Sequence, residues 1–242
     1  MSQHVVFIVG EAEYQSQVTM PPVAAELADR FGLRTTICTS SPIEDGHALY
    51  EFEGLEALED ADALVVYTRF RVLSDPQMGL LQAYLDSGGP VVGLRTSTHS
   101  FRFPEGSPWH SWNNGFGIRL FGTPWRTHHG GQSSTDVRVL PEAAGHPILE
   151  GVAERFHVRS WLYHVLPLPD TCEPLLWGIP VNAAPAQPMI EKPTENPVAW
   201  TNTHNGGRVF YTSLGHPEDF QAEPFRRLLV NGILWALGRN GA

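Results

Sequence analysis

Pro90-Val91-Val92-Gly93-Leu94-Arg95-Thr96-Ser97-Thr98-His99 changes character at its midpoint. The first half is a short apolar run, as expected of a strand buried on both faces of a parallel sheet, and the second half is polar. Residues 5–9, 34–39 and 63–67 read as three earlier strands. Helical signals lie between them. Val23, Ala24, Leu27, Ala28 and Phe31 form a stripe over 21–31, opened by a proline pair and stopped by Gly32. A brief helix fits 55–58. Ser74 can cap a helix carrying Met78, Leu81 and Leu85 that closes at Gly88-Gly89. Strand and helix alternate four times, which predicts an α/β fold with a mostly parallel sheet and helices on both faces.

Residues 96–131 show little periodicity, yet hold Trp109, Trp112, Trp125 and several histidines. Long irregular segments in compact domains are usually functional. Beyond them, 135–140, 156–160, 173–177 and 198–201 read as short strands joined by Pro- and Asn-rich loops. Residues 207–214 form a last strand, and 225–237 an amphipathic closing helix ended by Gly238. No repeat or linker interrupts the chain, so one domain over residues 1–242 is the simplest organisation.

Composition narrows the function. The chain is 42% hydrophobic and 17% charged, enough to bury a core, and its net charge of −10 comes without a basic run. Phosphate backbones and anionic lipid surfaces repel such a chain, so neither nucleic acid nor a membrane is an expected partner. The N-terminus lacks a basic leader, and no apolar stretch approaches the roughly 20 residues of a membrane span, which points to the cytoplasm. Cys38 and Cys172 have no metal-type spacing and read as buried free thiols. Without Gly-x-Gly-x-x-Gly or a phosphate-loop lysine after any strand, no nucleotide cofactor is expected.

Ligands of open α/β sheets bind beyond the carboxyl ends of the strands. That rule nominates Glu11, Glu13 and Tyr14 after the first strand, and Arg69 and Arg71 after the third. Arg95, Thr96, Ser97 and His99 follow the fourth, and His216 and Glu218 follow the last. Pro217 favours an extended His216, so Glu218 can fix its tautomer. His99 reads as a base or as a buried histidine bonded to backbone. Arg95 reads as an anion or carbonyl clamp, or as a structural partner of Glu11 or Glu218. Trp109, Trp112, Trp125 and Trp161 can offer flat faces to sugar rings or fill the core; Trp200 and Trp235 read as core. Tyr163-His164 sits where it can line the pocket. Adjacent His128 and His129 face opposite ways if they lie on a strand, so one metal rarely takes both. No resident metal is expected; a site of two histidines and a carboxylate is the alternative.

Two segments resemble class I glutamine amidotransferases: 90–99 is similar to their strand and nucleophile elbow, and Ser213-Leu214-Gly215-His216-Pro217-Glu218 to the segment completing a Cys-His-Glu triad. The cysteine position falls on Arg95, whose guanidinium stays protonated and is no nucleophile, so glutaminase chemistry is excluded. More of the chain resembles the ThuA-like, or trehalose-utilisation, branch of that superfamily. The resembling pieces are Gly10-Glu11-Ala12-Glu13-Tyr14-Gln15-Ser16, His146-Pro147-Ile148-Leu149-Glu150-Gly151-Val152, and Pro197-Val198-Ala199-Trp200 with Gly207-Arg208-Val209-Phe210-Tyr211-Thr212-Ser213-Leu214-Gly215-His216. Leu229-Val230-Asn231-Gly232-Ile233-Leu234-Trp235-Ala236 adds to them. Members of that family often carry histidine where this chain has Arg95.

The resemblance implies a flavodoxin-like, amidotransferase-like fold, and carbohydrate catabolism, specifically the handling of 3-keto glycosides. A small-molecule carbohydrate is then the expected substrate, with a homodimer allowed. A 3-keto group acidifies the neighbouring C–H. Chemistry there needs a base, a cation or donor for the enolate, and an acid for the leaving oxygen. The expected catalytic set is His216 or His99 as base, Arg95 or Arg69 at the enolate, and Glu11 or Glu218 as acid. Tyr14, Arg69, Trp125, His128 and His164 are expected to bind substrate. The rival readings are a sugar-binding or regulatory protein and a metal-dependent hydrolase.

Overall fold

The computed structural model describes residues 2–40, 51–130, 132–182 and 195–239. β1 (His4–Gly10) is buried at every position. After it come α1 (Ser16–Phe31), β2 (Arg34–Thr39), a 3₁₀ turn at Leu55–Asp60, β3 (Ala63–Thr68), α2 (Asp75–Asp86) and β4 (Val91–Leu94). α3 (Trp112–Phe121) and β5 (Thr127–His128) occupy the segment expected to be irregular. β6 (Ser134–Val139), β7 (Arg155–Val158), β8 (Tyr163–His164), β9 (Glu173–Val181), β10 (Asn196–His204), β11 (Gly207–Thr212) and α4 (Glu223–Ala236) complete the order. The loop expected between the strands at 173–177 and 198–201 falls largely at 183–194, outside the described residues.

Nine strands form one sheet in the order β2-β1-β3-β4-β11-β10-β9-β6-β7. The first five are mutually parallel, as the βα alternation requires, and their order is that of a flavodoxin-like sheet. β10, β9, β6 and β7 extend it antiparallel. β5 and β8 form a separate two-stranded ribbon.

Alternate residues of β1 feed different cores. Val5, Phe7 and Val9 meet α1 and α4 through Val23, Leu27, Phe225 and Leu229, whereas Val6 and Ile8 meet α2 and α3 through Met78, Leu81 and Phe116. Each such side chain contributes about 2 kcal/mol on burial. Trp200 is fully buried, and Trp112 packs with Phe116 in the α2/α3 core. Both cysteines are free and buried, and burial pushes their thiols up, Cys38 to about 12 and Cys172 to about 11.

Two helices depart most from the sequence reading. The proline pair does not open α1: Pro21 and Pro22 lie inside it, and the helix begins at Ser16 after Gln15 in a left-handed conformation (φ 55°). The extra turn is held from outside, since Ser16 N–H donates to the Glu11 carbonyl at 3.0 Å. α3 has two internal glycines and weak intrinsic propensity. It forms because Trp112, Phe116 and Leu120 face one core, and because Gly117 lets it lie against the turn after β4. A Cβ at Gly117 would stand 2.4 Å from the Thr98 carbonyl oxygen.

Candidate functional site

The carboxyl ends of β1, β3, β4 and β11 converge as the sheet order requires. At their centre lies Arg95, first residue of the 3₁₀ turn Arg95–His99. Its backbone is in the left-handed region (φ 43°), a strain of about 1–3 kcal/mol for a non-glycine residue. Tertiary bonds hold it there. Tyr211 Oη donates to the Arg95 carbonyl at 2.5 Å, and Ser97 Oγ donates to the Val66 carbonyl at 2.6 Å.

The Arg95 side chain is fully buried. Nη1 donates to the carbonyls of Ser213 (2.8 Å) and Trp161 (3.3 Å), and Nη2 donates to Tyr14 Oη (3.2 Å). The guanidinium carbon lies 4.3 Å, 4.9 Å and 4.7 Å from the ring centroids of Tyr14, Trp161 and Tyr163. Neither Glu11 nor Glu218 is its partner, so the carboxylate pairing is replaced by an aromatic cage, and Nε has no hydrogen-bond partner. Arg95 is the floor of the site and has no exposed surface to offer a substrate.

The rim carries the reachable charge. Half-buried Arg69 pairs with Glu13 and stands 3.9 Å from Glu11 Oε1. Tyr14 Oη donates in turn to Glu13 Oε1 at 3.2 Å, which links Arg95 to Arg69 through alternating charge. The Glu11 carboxylate is buried and accepts the backbone N–H groups of Glu13 (3.1 Å) and Tyr14. Burial raises its pKa despite those bonds and the Arg69 cation. Arg71 is a structural arginine: buried, it donates from Nε to the Gly10 carbonyl at 2.5 Å.

The histidines separate into distinct environments. His99 is buried between the rings of Phe70 (5.2 Å) and Trp125 (5.5 Å). Burial, then the Arg69 and Arg95 cations, push its pKa down to about 3, so it is neutral. His216 is half-buried against Tyr14 (6.2 Å) and Trp161 (6.1 Å), and burial lowers its pKa. His128 stands 5.5 Å from Trp161 and 6.2 Å from Tyr163. Trp125, exposed, lies 6.4 Å beyond it.

His164 does not join this group. The β5–β8 register pairs His128 with Tyr163, so the alternation of the ribbon puts His164 on its other face, 4.4 Å from His129. Burial lowers its pKa there. Among the described residues no group of three or more His, Cys, Asp or Glu side chains stands together as a metal site would require.

Glu218 is also corrected. Its side chain is 70% exposed and its carboxylate lies 4.0 Å from His216 Nδ1. The Glu218 backbone N–H sets the tautomer instead, donating to Nδ1 at 3.2 Å. The buried carboxylate of this loop is Asp219, which the sequence reading missed. Its Oδ1 accepts Arg159 N–H (2.8 Å) and Ser160 N–H (3.1 Å), and its Oδ2 accepts Ser160 Oγ–H (2.5 Å), Gly215 N–H (3.0 Å) and His216 N–H (3.1 Å). This knot fixes the His216 loop to the segment that presents Trp161. Its one sequence signal was an acid three residues after the histidine of a His-Pro pair, the spacing of a capping box.

Among known proteins, no curated sequence matches the chain. Solved structures share its fold: a ThuA-like protein from Bacteroides uniformis has 18% identity and a TM-score of 0.65, over 99% of this chain and 92% of that one. A ThuA-like protein from Parabacteroides merdae has 15% identity and a TM-score of 0.71, again over 99% and 92%. A β-galactosidase from Rahnella sp. R3 has 12% identity and a TM-score of 0.54, over 98% of this chain but 32% of that one. No helix among the described residues is long and apolar enough to cross a membrane. The sequence model of ThuA, trehalose utilisation, matches residues 4–236, and with that match across nearly the whole chain the protein belongs to the ThuA family, whose role is in carbohydrate use.

Proposed function

We propose that the protein is an enzyme acting on an oxidised sugar, a 3-keto sugar or 3-keto glycoside, by moving the acidified proton beside the ketone. One observation carries the reading. A buried carboxyl held above its usual range (Glu11), a half-buried imidazole held below its own (His216) and a partly exposed cation (Arg69) gather at the carboxyl ends of the parallel strands. Trp125, Trp161 and His128 stand beside them as flat faces for a pyranose ring. Loss of the proton at C2 leaves its electron pair as the C2=C3 bond of an enolate, with negative charge on the C3 oxygen. Arg69 is the reachable cation for that charge, and Arg95 adds a fixed positive field from beneath. Collapse of the enolate forms the C1=C2 bond and breaks the C1–O bond of a glycoside.

The test is incubation with 3-keto-trehalose and 3-keto-glucosides, with and without chelator, followed by NMR of the sugar. Product in both arms supports the reading, and product only without chelator replaces side-chain catalysis with metal chemistry. A raised melting temperature without turnover makes the protein a sugar-binding one and overturns the proposal. Neither turnover nor a shift removes the keto-sugar assignment.

A further inference from the structure

His128 and His216 touch the same tryptophan, and their backbone partners fix opposite tautomers. His128 Nδ1 lies 2.6 Å from the carbonyl oxygen of His129. A carbonyl can only accept, so Nδ1 carries the hydrogen and Nε2 keeps the lone pair. His216 Nδ1 lies 3.2 Å from the backbone N–H of Glu218. An N–H can only donate, so Nδ1 is the acceptor and the neutral ring carries its hydrogen on Nε2. Trp161 packs against both, 5.5 Å from one ring and 6.1 Å from the other.

We infer that His128 Nε2 is the base that removes the proton beside the ketone, and that His216 Nε2–H is the neutral hydrogen-bond donor to the ketone and enolate oxygen. The inference rests on the keto-sugar reading and reverses the part expected of His216. His216 cannot serve as the base from Nε2, because that nitrogen is the protonated one. Its Nδ1 lone pair is engaged at the cap of the 3₁₀ turn Pro217–Gln221. A neutral imidazole polarises a carbonyl without surrendering its proton, provided its pKa is held down. Burial does this at His216; the Arg159 and Arg95 cations act in the same sense, against the Asp219 and Glu218 carboxylates, which raise it. The Ser160–Asp219 knot grips the His216 amide and so fixes where that donor points.

The proton balance closes on one residue. His128 Nε2 takes the C2 proton and the ring becomes imidazolium. The C2–H electron pair becomes the enolate double bond, and the carbonyl π pair moves to the C3 oxygen against His216 Nε2–H. The imidazolium then returns its proton, to a carbon in an isomerisation or to the departing glycosidic oxygen in an elimination.

Two measurements test the assignment. Long-range ¹H–¹⁵N NMR on histidine-labelled protein, assigned with His128→Gln and His216→Gln, reads the tautomers without any substrate. Hydrogen on Nδ1 of His128 and on Nε2 of His216 is expected, and the same tautomer at both overturns the inference. In D₂O, deuterium wash-in at C2 of a 3-keto-glucoside should fall about 100-fold or more in His128→Gln, and added imidazole should restore part of it. His216→Phe should lose about 100-fold without imidazole rescue, while His216→Gln, which keeps an N–H donor, should lose less. Wash-in that survives His128→Gln overturns this assignment alone. A wild-type protein that moves no deuterium overturns the keto-sugar reading.

Discussion

Replacing His99 by phenylalanine should flatten the acid limb of the protein's stability curve. The buried imidazole has a pKa of about 3 in the folded chain against an ordinary 6.5. Between those values the unfolded chain binds one proton that the folded chain refuses. Stability is therefore intact above pH 6.5 and falls as pH drops, by about 1.4 kcal/mol per unit for this one group. From pH 7.5 to 4.5 the loss is about 3 kcal/mol, a large share of the roughly 5–15 kcal/mol that holds a domain together. Phenylalanine keeps the ring between Phe70 and Trp125 and gives up only the 3.2 Å contact of Nδ1 with Thr98 Oγ1. His146, His164, His204 and His216 are lowered by burial as well, so both proteins lose stability in acid. Their difference isolates His99. Urea unfolding at pH 7.5 and 4.5, extrapolated linearly, should show the stability gap between wild type and His99→Phe moving by about 3 kcal/mol in favour of the variant. An unchanged gap would refute the claim that His99 is held neutral.

Five further substitutions probe the site and its scaffold, each read by urea unfolding. Arg95→Lys keeps a buried charge but loses the forked donors and the stacking on three rings, and should cost about 3 kcal/mol; a change within about 0.5 kcal/mol would contradict the cage. Asp219→Asn turns an amide toward three donors at Oδ2 and should cost about 2–3 kcal/mol while shifting the His216 amide in NMR spectra. Exposed Glu218→Gln should change stability by less than about 0.5 kcal/mol. Gly117→Ala drives a Cβ to 2.4 Å from the Thr98 oxygen and should cost about 1–3 kcal/mol, whereas Gly115→Ala, with nothing within 4 Å, should gain up to about 1 kcal/mol in the same helix.

The parallel half of the fold was legible because β1, β3 and β4 are continuous apolar runs and the helices α1 and α2 carry apolar stripes. β2 begins and ends where the sequence places it, and β1, β3 and β4 shift by a residue or two at most at either end. α3 was hidden by its glycines and asparagines, although Trp112, Phe116 and Leu120 already stand four residues apart. Convergence of Glu11, Arg69, Arg95 and His216 followed from the strand-end rule alone. What stayed illegible depends on contacts across the chain. Nothing local marks Ser160 as the partner of Asp219, or tells Arg95 that rings rather than carboxylates will surround it. The His-Pro pair illustrates the limit: His146 Nδ1 accepts Ile148 N–H at 3.2 Å just as His216 accepts Glu218 N–H, so the motif fixes a tautomer in both places. Only the second stands against Trp161 and Tyr14.

The cage around Arg95 also bears on how the chain reaches its native state. The acceptors of the guanidinium lie 66, 118 and 81 positions away, at Trp161, Ser213 and Tyr14. Each loop must close before its contact stabilises anything, and long-range contacts of this kind slow folding. Until β11 docks beside β4, a hydrated cation stands at the end of that strand and opposes early sealing of the sheet over it. A chain truncated before β11 should therefore lack the candidate site altogether, rather than carry a weakened version of it. Trp161, stacked on a charge that arrives only when every segment is in place, becomes a natural fluorescent reporter of complete assembly.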